Sequence, residues 1–271
     1  RPRPPRGAAE EPAAAAGANG APPRLKHGLC LLLNLDRRED RWRKMEALAK
    51  PHAWLSGALQ RVPAVDGREL SWTKLVADGD FTRLAWKTAQ RAENEKRATI
   101  GRRPQDCSPH LTLGGCGCAL SHRKAWQALV ESSSRWALVL EDDVSQLCQD
   151  FDEELDRVLQ QLSGDWNICY LGYHTGRLLQ AGKRFAGPLR ELQPTMGWFP
   201  GLYGYLVSKP YARQLLRQAF PMDAQVDTIV GSLAGQKPGS FVVPEREFLL
   251  YSPPSEASRD SDIQTFPEDM R

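Results

Sequence analysis

Short apolar runs in this chain alternate with stretches whose apolar side chains recur every three or four positions, so the pattern predicts strands separated by helices. Residues 29–35 read as a buried strand. Asp36 follows it with Glu39 three positions on, a capping-box arrangement, and then a helix with Trp42, Met45 and Leu48 on one face. Residues 62–65 make a short strand closed by an Asp66-Gly67 turn. After a loop with Gly114, Gly115 and Gly117, Ser121 is expected to cap a helix whose apolar face is Ala125, Trp126, Leu129 and Val130. Residues 136–140 form the next strand, 152–162 a helix, and 166–171 and 203–207 further strands. Ser208 and Pro210 open a helix bearing Tyr211, Leu215, Leu216 and Ala219. A shorter helix from about Ala224 carries Val226, Ile229, Val230 and Leu233, and residues 241–243 and 248–251 are strand-like.

Strands alternating with helices indicate an α/β domain with a mainly parallel central sheet flanked by helices. Such sheets gather ligands at the carboxyl ends of their strands. Asp36, Asp66 and the run Glu141, Asp142, Asp143 all follow strands, so one sheet edge should collect them. Residues 1–24 are rich in Pro, Ala, Gly and Arg and read as a disordered tail or linker, leaving 25–271 as a single domain. Residues 91–109 are polar and charged, as expected of a surface loop or lid.

With 271 residues, 41% of them apolar, the chain can build a sizeable core. Its formal charge of +3 is spread among acids and forms no basic stripe, which argues against nucleic acid as a partner. No apolar run approaches the roughly 20 residues that cross a bilayer. Among six cysteines, Cys30 and Cys169 fall in buried strands. Cys116 and Cys118 form a C-x-C without a second pair at zinc-finger spacing, and a disulfide among Cys107, Cys116, Cys118 and Cys148 stays open.

The chemistry concentrates after residues 136–140. Three consecutive acids repel one another unless a cation neutralises them, and hard carboxylate oxygens suit Mg2+ or Mn2+. Asn34, Asp36 and Arg38 enter a helix N-terminus, which favours anions, and Arg41 lies three positions beyond Arg38, so both guanidinium groups can meet a diphosphate. Ser121 and His122 follow the glycine run and are expected to point at the same edge. Asp223 and Asp227, expected on one helical face, offer a base and its neighbour. An acid in the polar segment 258–262 can return to complete a metal shell.

Together these residues resemble glycosyltransferase family 25, whose members include bacterial lipooligosaccharide galactosyltransferases and animal procollagen galactosyltransferases. The likeness runs from about Gly28 to Gln264. It rests on Leu31 to Arg38 with Arg41, Arg61 to Gly67, Gly117 to His122 with Trp126, Leu138 to Val144, Asp165-Trp166 with Tyr170 to Gly172, Gly204-Tyr205 with Ser208, and Pro221 to Asp223. The resemblance implies a GT-A type fold, a nucleotide-sugar donor such as UDP-galactose, and Mn2+ (or Mg2+) held by Glu141, Asp142 and Asp143. It also implies inversion at the anomeric carbon, with Asp223, backed by Asp227, as the base that deprotonates a hydroxyl of a glycan or hydroxylysine-bearing protein acceptor. Donor-facing roles fall to Asn34, Asp36, Arg38, Arg41, Asp66, Ser121 and His122. Relatives usually carry a glutamate before the Gly-Cys of the glycine run, where this chain has Gly115 and Cys116. Residues 173–198 match poorly, so acceptor identity does not carry over. An animal or algal member is expected in the ER or Golgi lumen and a bacterial one in the cytoplasm. The rival reading is an inactive member that serves as a sugar-binding or adhesion module.

Overall fold

The computed structural model describes residues 22–99, 111–162, 164–174, 187–192, 201–236, 238–253 and 260–263. Nine strands are described: β1 (Gly28–Asn34), β2 (Leu59–Pro63), β3 (Trp136–Glu141), β4 (Gln146–Leu147), β5 (Ile168–Tyr170), β6 (Arg190–Glu191), β7 (Gly204–Ser208), β8 (Ser240–Val242) and β9 (Leu250–Tyr251). Seven of them form one sheet in the order β2-β1-β3-β7-β5-β8-β6, and β4 pairs with β9 apart from it. β2, β1, β3, β5 and β8 run one way; β7 and β6 run against them. The described helices are α1 (Glu39–Ala49), α2 (Ala53–Ala58), α3 (Trp72–Ala77), α4 (Arg83–Thr99), α5 (Leu113–Glu131), α6 (Phe151–Gln161), α7 (Lys209–Gln218) and α8 (Val226–Gly235). This is the largely parallel, helix-flanked sheet of a GT-A-like fold.

The central strands are apolar at nearly every position because both faces are covered. Alternate residues on a strand point to opposite faces, and the two cores follow that rule. Leu31 and Leu33 of β1, Ala137 and Val139 of β3, and Tyr205 and Val207 of β7 pack with α5, α7 and α8. Cys30 and Leu32, Leu138 and Leu140, and Leu206 pack on the other face with α1, α2 and α6. β1 lies parallel to both neighbours, with Asn34 beside Pro63 and Leu33 beside Glu141, so three strand ends finish side by side.

The glycine run is helical, contrary to the expected loop: α5 starts at Leu113, capped by the Thr112 hydroxyl, which accepts from Gly115 N at 2.9 Å. Glycine inside a helix costs roughly 1 kcal/mol relative to alanine, and close approach explains its use here. A Cβ at Gly117 would strike the Val65 carbonyl, and one at Gly114 would strike the backbone of Asp262 and Ile263. Ser121 therefore sits inside the helix and caps nothing; its Oγ donates to Gly117 O at 2.7 Å and accepts from Val65 N at 2.8 Å. The expected capping box also fails, since α1 begins after Arg38, and Asp36 stays exposed with a 3.3 Å ion pair to Arg61.

Residues 91–99 continue α4, so the expected loop is helix there, and 100–109 lie outside the described residues. The tail prediction falls on residues of which 1–21 are likewise outside; Arg24 is held by Asp156 at 2.8 Å. Cys30, Cys116, Cys118, Cys148 and Cys169 are free thiols, and Cys107 is not among the described residues. Among the described residues no helix is long and apolar enough to cross a membrane.

Candidate active site

Side-chain alternation decides where the three acids go. Glu141 shares its face of β3 with Ala137 and Val139, so it turns toward α5. Asp142 falls on the opposite parity and meets α1, where Arg41 Nη1 donates to its Oδ1 at 2.8 Å and Asn34 Nδ2 donates to its Oδ2 at 2.7 Å. Asp143 follows beside Ser252, whose hydroxyl donates to the Asp143 carbonyl at 3.2 Å. The triplet thus faces three sets of partners.

On the α5 side Glu141 meets His122, with Oε1 3.1 Å from Nε2. His122 Nδ1 lies 2.9 Å from the Tyr205 hydroxyl, which also accepts from Trp126 Nε1 at 2.9 Å. Cys118 stands one helical turn before His122 on α5, and a thiol, imidazole and carboxylate donor atom all lie within 4.8 Å of one another. His122 is fully buried, and burial pushes its imidazole down to about 3. Burial first, then the charges of Asp142 and Asp227, pushes Glu141 up to about 8. Burial, then Glu141 and Asp142, pushes Asp143 up to about 7. A protonated Glu141 donates to Nε2, which places the ring hydrogen on Nδ1 and in reach of the Tyr205 oxygen. Asp143 Oδ1 is buried with no hydrogen-bond partner among the described residues. Acids forced toward neutrality, one with an orphaned oxygen, fit a divalent cation.

The end of β1 is built differently. Asn34 is buried and structural: besides Asp142 it donates to Arg38 O and accepts from Arg61 Nε. Arg38 pairs with Asp40 at 2.9 Å and with Asp260 and Asp262 at 2.9 and 2.6 Å. Arg41 reaches Asp142, Asp260 and Asp262, and Arg37 spans Asp66 and Asp262. Asp66 also takes Arg68, whose hydrogen bonds hold its carboxyl well below the usual carboxylate range. Asp260 and Asp262 pair with arginines here, and Ile263 O accepts from the Thr112 hydroxyl at 2.6 Å.

The structure therefore brings Asn34, Arg38, Arg41, Asp66 and Asp142 to one rim and His122 and Glu141 to the adjoining one. Asp36 points to solvent, and Ser121 is spent on holding α5 to the turn after β2. Asp223 is exposed in a bend before α8, whose N-cap is Gln225, so it does not share a helical face with Asp227. Asp227 is the acid whose charge acts on His122, Glu141 and Cys118. Its Oδ2 accepts from Gly201 N at 3.0 Å and its Oδ1 from Thr228 N at 2.7 Å. Sequence reasoning missed Cys118 and Tyr205. The four-residue spacing of Cys118 and His122 is a helical signal that reading the glycines as a loop concealed. A Cβ at position 115 would meet the Gln225 amide oxygen at 2.6 Å, the movable end of that side chain, and Cys116 is fully buried.

Comparison with known proteins agrees with this architecture. The profile of glycosyltransferase family 25 (LPS biosynthesis protein) matches residues 29–230. Two proteins named Glycosyltransferase 25 family member are similar to the chain: one from Anopheles gambiae, 28% identical over 189 residues, and one from Aedes aegypti, 29% identical over 189 residues. Procollagen galactosyltransferase 1 of Danio rerio is 25% identical over 194 residues. These alignments cover 69% of this chain but only 28%, 27% and 28% of the respective relatives, so the chain spans just over a quarter of their length. With a family profile matched across most of its described sheet and helices, this chain belongs to glycosyltransferase family 25.

Proposed function

We propose that this chain is a metal-dependent, inverting glycosyltransferase that moves a sugar, with galactose from UDP-galactose as the leading donor, onto a hydroxyl of a glycan or hydroxylysine-bearing protein. The observation that carries this reading is the pairing of two unlike rims at one sheet edge. Arginines crowd the end of β1, while at the end of β3 the Glu141 charge acts on Asp143, whose buried Oδ1 has no partner among the described residues. The choice of galactose leans on the name of the zebrafish relative.

Glu141 and Asp143 would hold the cation, which as a Lewis acid supplies charge stabilisation to a departing diphosphate. Arg38 and Arg41 stand where an incoming diphosphate meets fork-shaped donors. Arg41 holds Asp142 in place, and Asn34 fixes that carboxylate from its second oxygen, so the arginine's position does not depend on ligand. Asp227 is better placed than Asp223 to take a proton from the attacking hydroxyl, because it faces the His122 and Glu141 rim. Backbone N–H donors orient the carboxylate, the Thr228 hydroxyl adds a 3.4 Å contact to Oδ1, and Oδ2 keeps a further lone pair.

A screen of UDP-sugars, read as UDP released with and without Mn2+, tests this. Release from UDP-galactose above the other donors, and dependent on Mn2+, is expected. Metal-dependent UDP binding without release from any donor would instead favour the non-catalytic, sugar-binding reading.

A further inference from the structure

We propose that Cys118, His122 and Glu141 form a binding site for a borderline-soft transition metal of the zinc class, which shares Glu141 with the hard-cation pair of Glu141 and Asp143 and differs from it by a thiolate and an imidazole. The donors are sulfur, imidazole nitrogen and carboxylate oxygen, a set that selects zinc-like ions over Mg2+. Two ligands come from one face of α5, four residues apart, and the third from the end of β3, where strand parity aims it at that face. A tetrahedral ion with bonds of about 2.0–2.3 Å sets its ligand atoms roughly 3.3–3.6 Å apart. The observed separations, 3.1 Å for His122 to Glu141 and at most 4.8 Å across the three, bracket that span. Small side-chain rotations reach it.

The surroundings match a ligated histidine. Tyr205 and Trp126 fix the imidazole from its Nδ1 side, and the phenol oxygen has lone pairs for both Nδ1–H and the indole N–H. That tautomer leaves the Nε2 lone pair facing Glu141. Only one Glu141 oxygen faces His122 in the hydrogen bond. Cys118 is partly exposed, which gives the ion an entry and a fourth position for water or another ligand. Cys118 binds as thiolate, and its proton leaves to bulk water. The site stands on these residues alone and does not require sugar transfer.

The test uses the whole chain, stripped with chelator and titrated with Co2+. One equivalent should produce a thiolate-to-metal charge-transfer band that Zn2+ bleaches. The band should vanish in Cys118→Ser and persist in Cys148→Ser, a thiol in the opposite core. Zn2+ should raise the melting temperature of the wild type more than that of Cys118→Ser, with circular dichroism confirming that each variant folds. Co2+ binding without a thiolate band, a band that survives Cys118→Ser, or no binding at all would overturn the proposal. The thiolate band reads Cys118, which takes no part in the Glu141 and Asp143 pair, so its presence or loss is independent of Mn2+-dependent UDP release and the two readings fail separately.

Discussion

The ends of β1 and β3 are neighbours in one sheet, yet they handle charge in opposite ways. At β1 each of Arg37, Arg38 and Arg41 has at least one carboxylate, several of them partly open to water. At β3 Glu141 is buried within range of the charges of Asp142 and Asp227, and Asp143 within range of those of Glu141 and Asp142, with an imidazole held neutral by burial. The first rim is balanced by protein groups and screened by solvent. Among the described residues the charge of Arg41 acts on both acids of the second but does not offset their burial, an imbalance that the proposed cation would relieve.

The largest expected effect comes from removing the orphaned acid. Asp143→Ala should lower UDP-sugar turnover by at least about a hundredfold with the circular dichroism spectrum intact. Unchanged turnover would erase the distinction between the rims. Next comes the scaffold under His122. Tyr205→Phe leaves Trp126 Nε1 and His122 Nδ1 unpaired in the core, so urea unfolding should show a loss of about 3 kcal/mol.

Titration sharpens the comparison further. Glu141 is raised from 4.5 to about 8 and Asp143 from 3.8 to about 7. Between those limits the native state keeps protons that the unfolded chain releases. The stabilisation is therefore complete below about pH 4 and is lost as pH rises toward 8. Metal-free protein should show a falling urea midpoint across that window, and saturating Mn2+ should flatten the slope. The smallest effect belongs to the balanced rim. Asp262→Asn frees Arg37 and Arg38 from one partner, so UDP should bind roughly threefold tighter at low salt, with the gain lost at high salt.

Much of the fold was legible because buried parallel strands write themselves as apolar runs: residues 29–35 and 136–140 marked β1 and β3 to within a residue or two. The rims were readable for the same reason, since acids and arginines at strand exits stand out against those runs. What escaped was set by tertiary contact. The glycines of α5 argue for a loop locally, and only the turn after β2 and the Asp262–Ile263 backbone pressing on them explain why a helix keeps them. Asp36 and Ser121 looked like caps, but helix starts were decided by Arg38 and Thr112. The divergence of Glu141 and Asp142 was within reach from the start, because consecutive strand residues cannot share a face. β4 and β6, two residues each, carry no periodicity to read.

Calorimetry of UDP binding, with Mn2+ and after chelation, on the wild type and Asp143→Ala, puts the cation-seeking rim to its most direct trial. Heat should appear only when metal and Asp143 are both present. Equal UDP binding in chelator, or binding that Asp143→Ala leaves unaltered, would contradict a metal-held diphosphate at the end of β3.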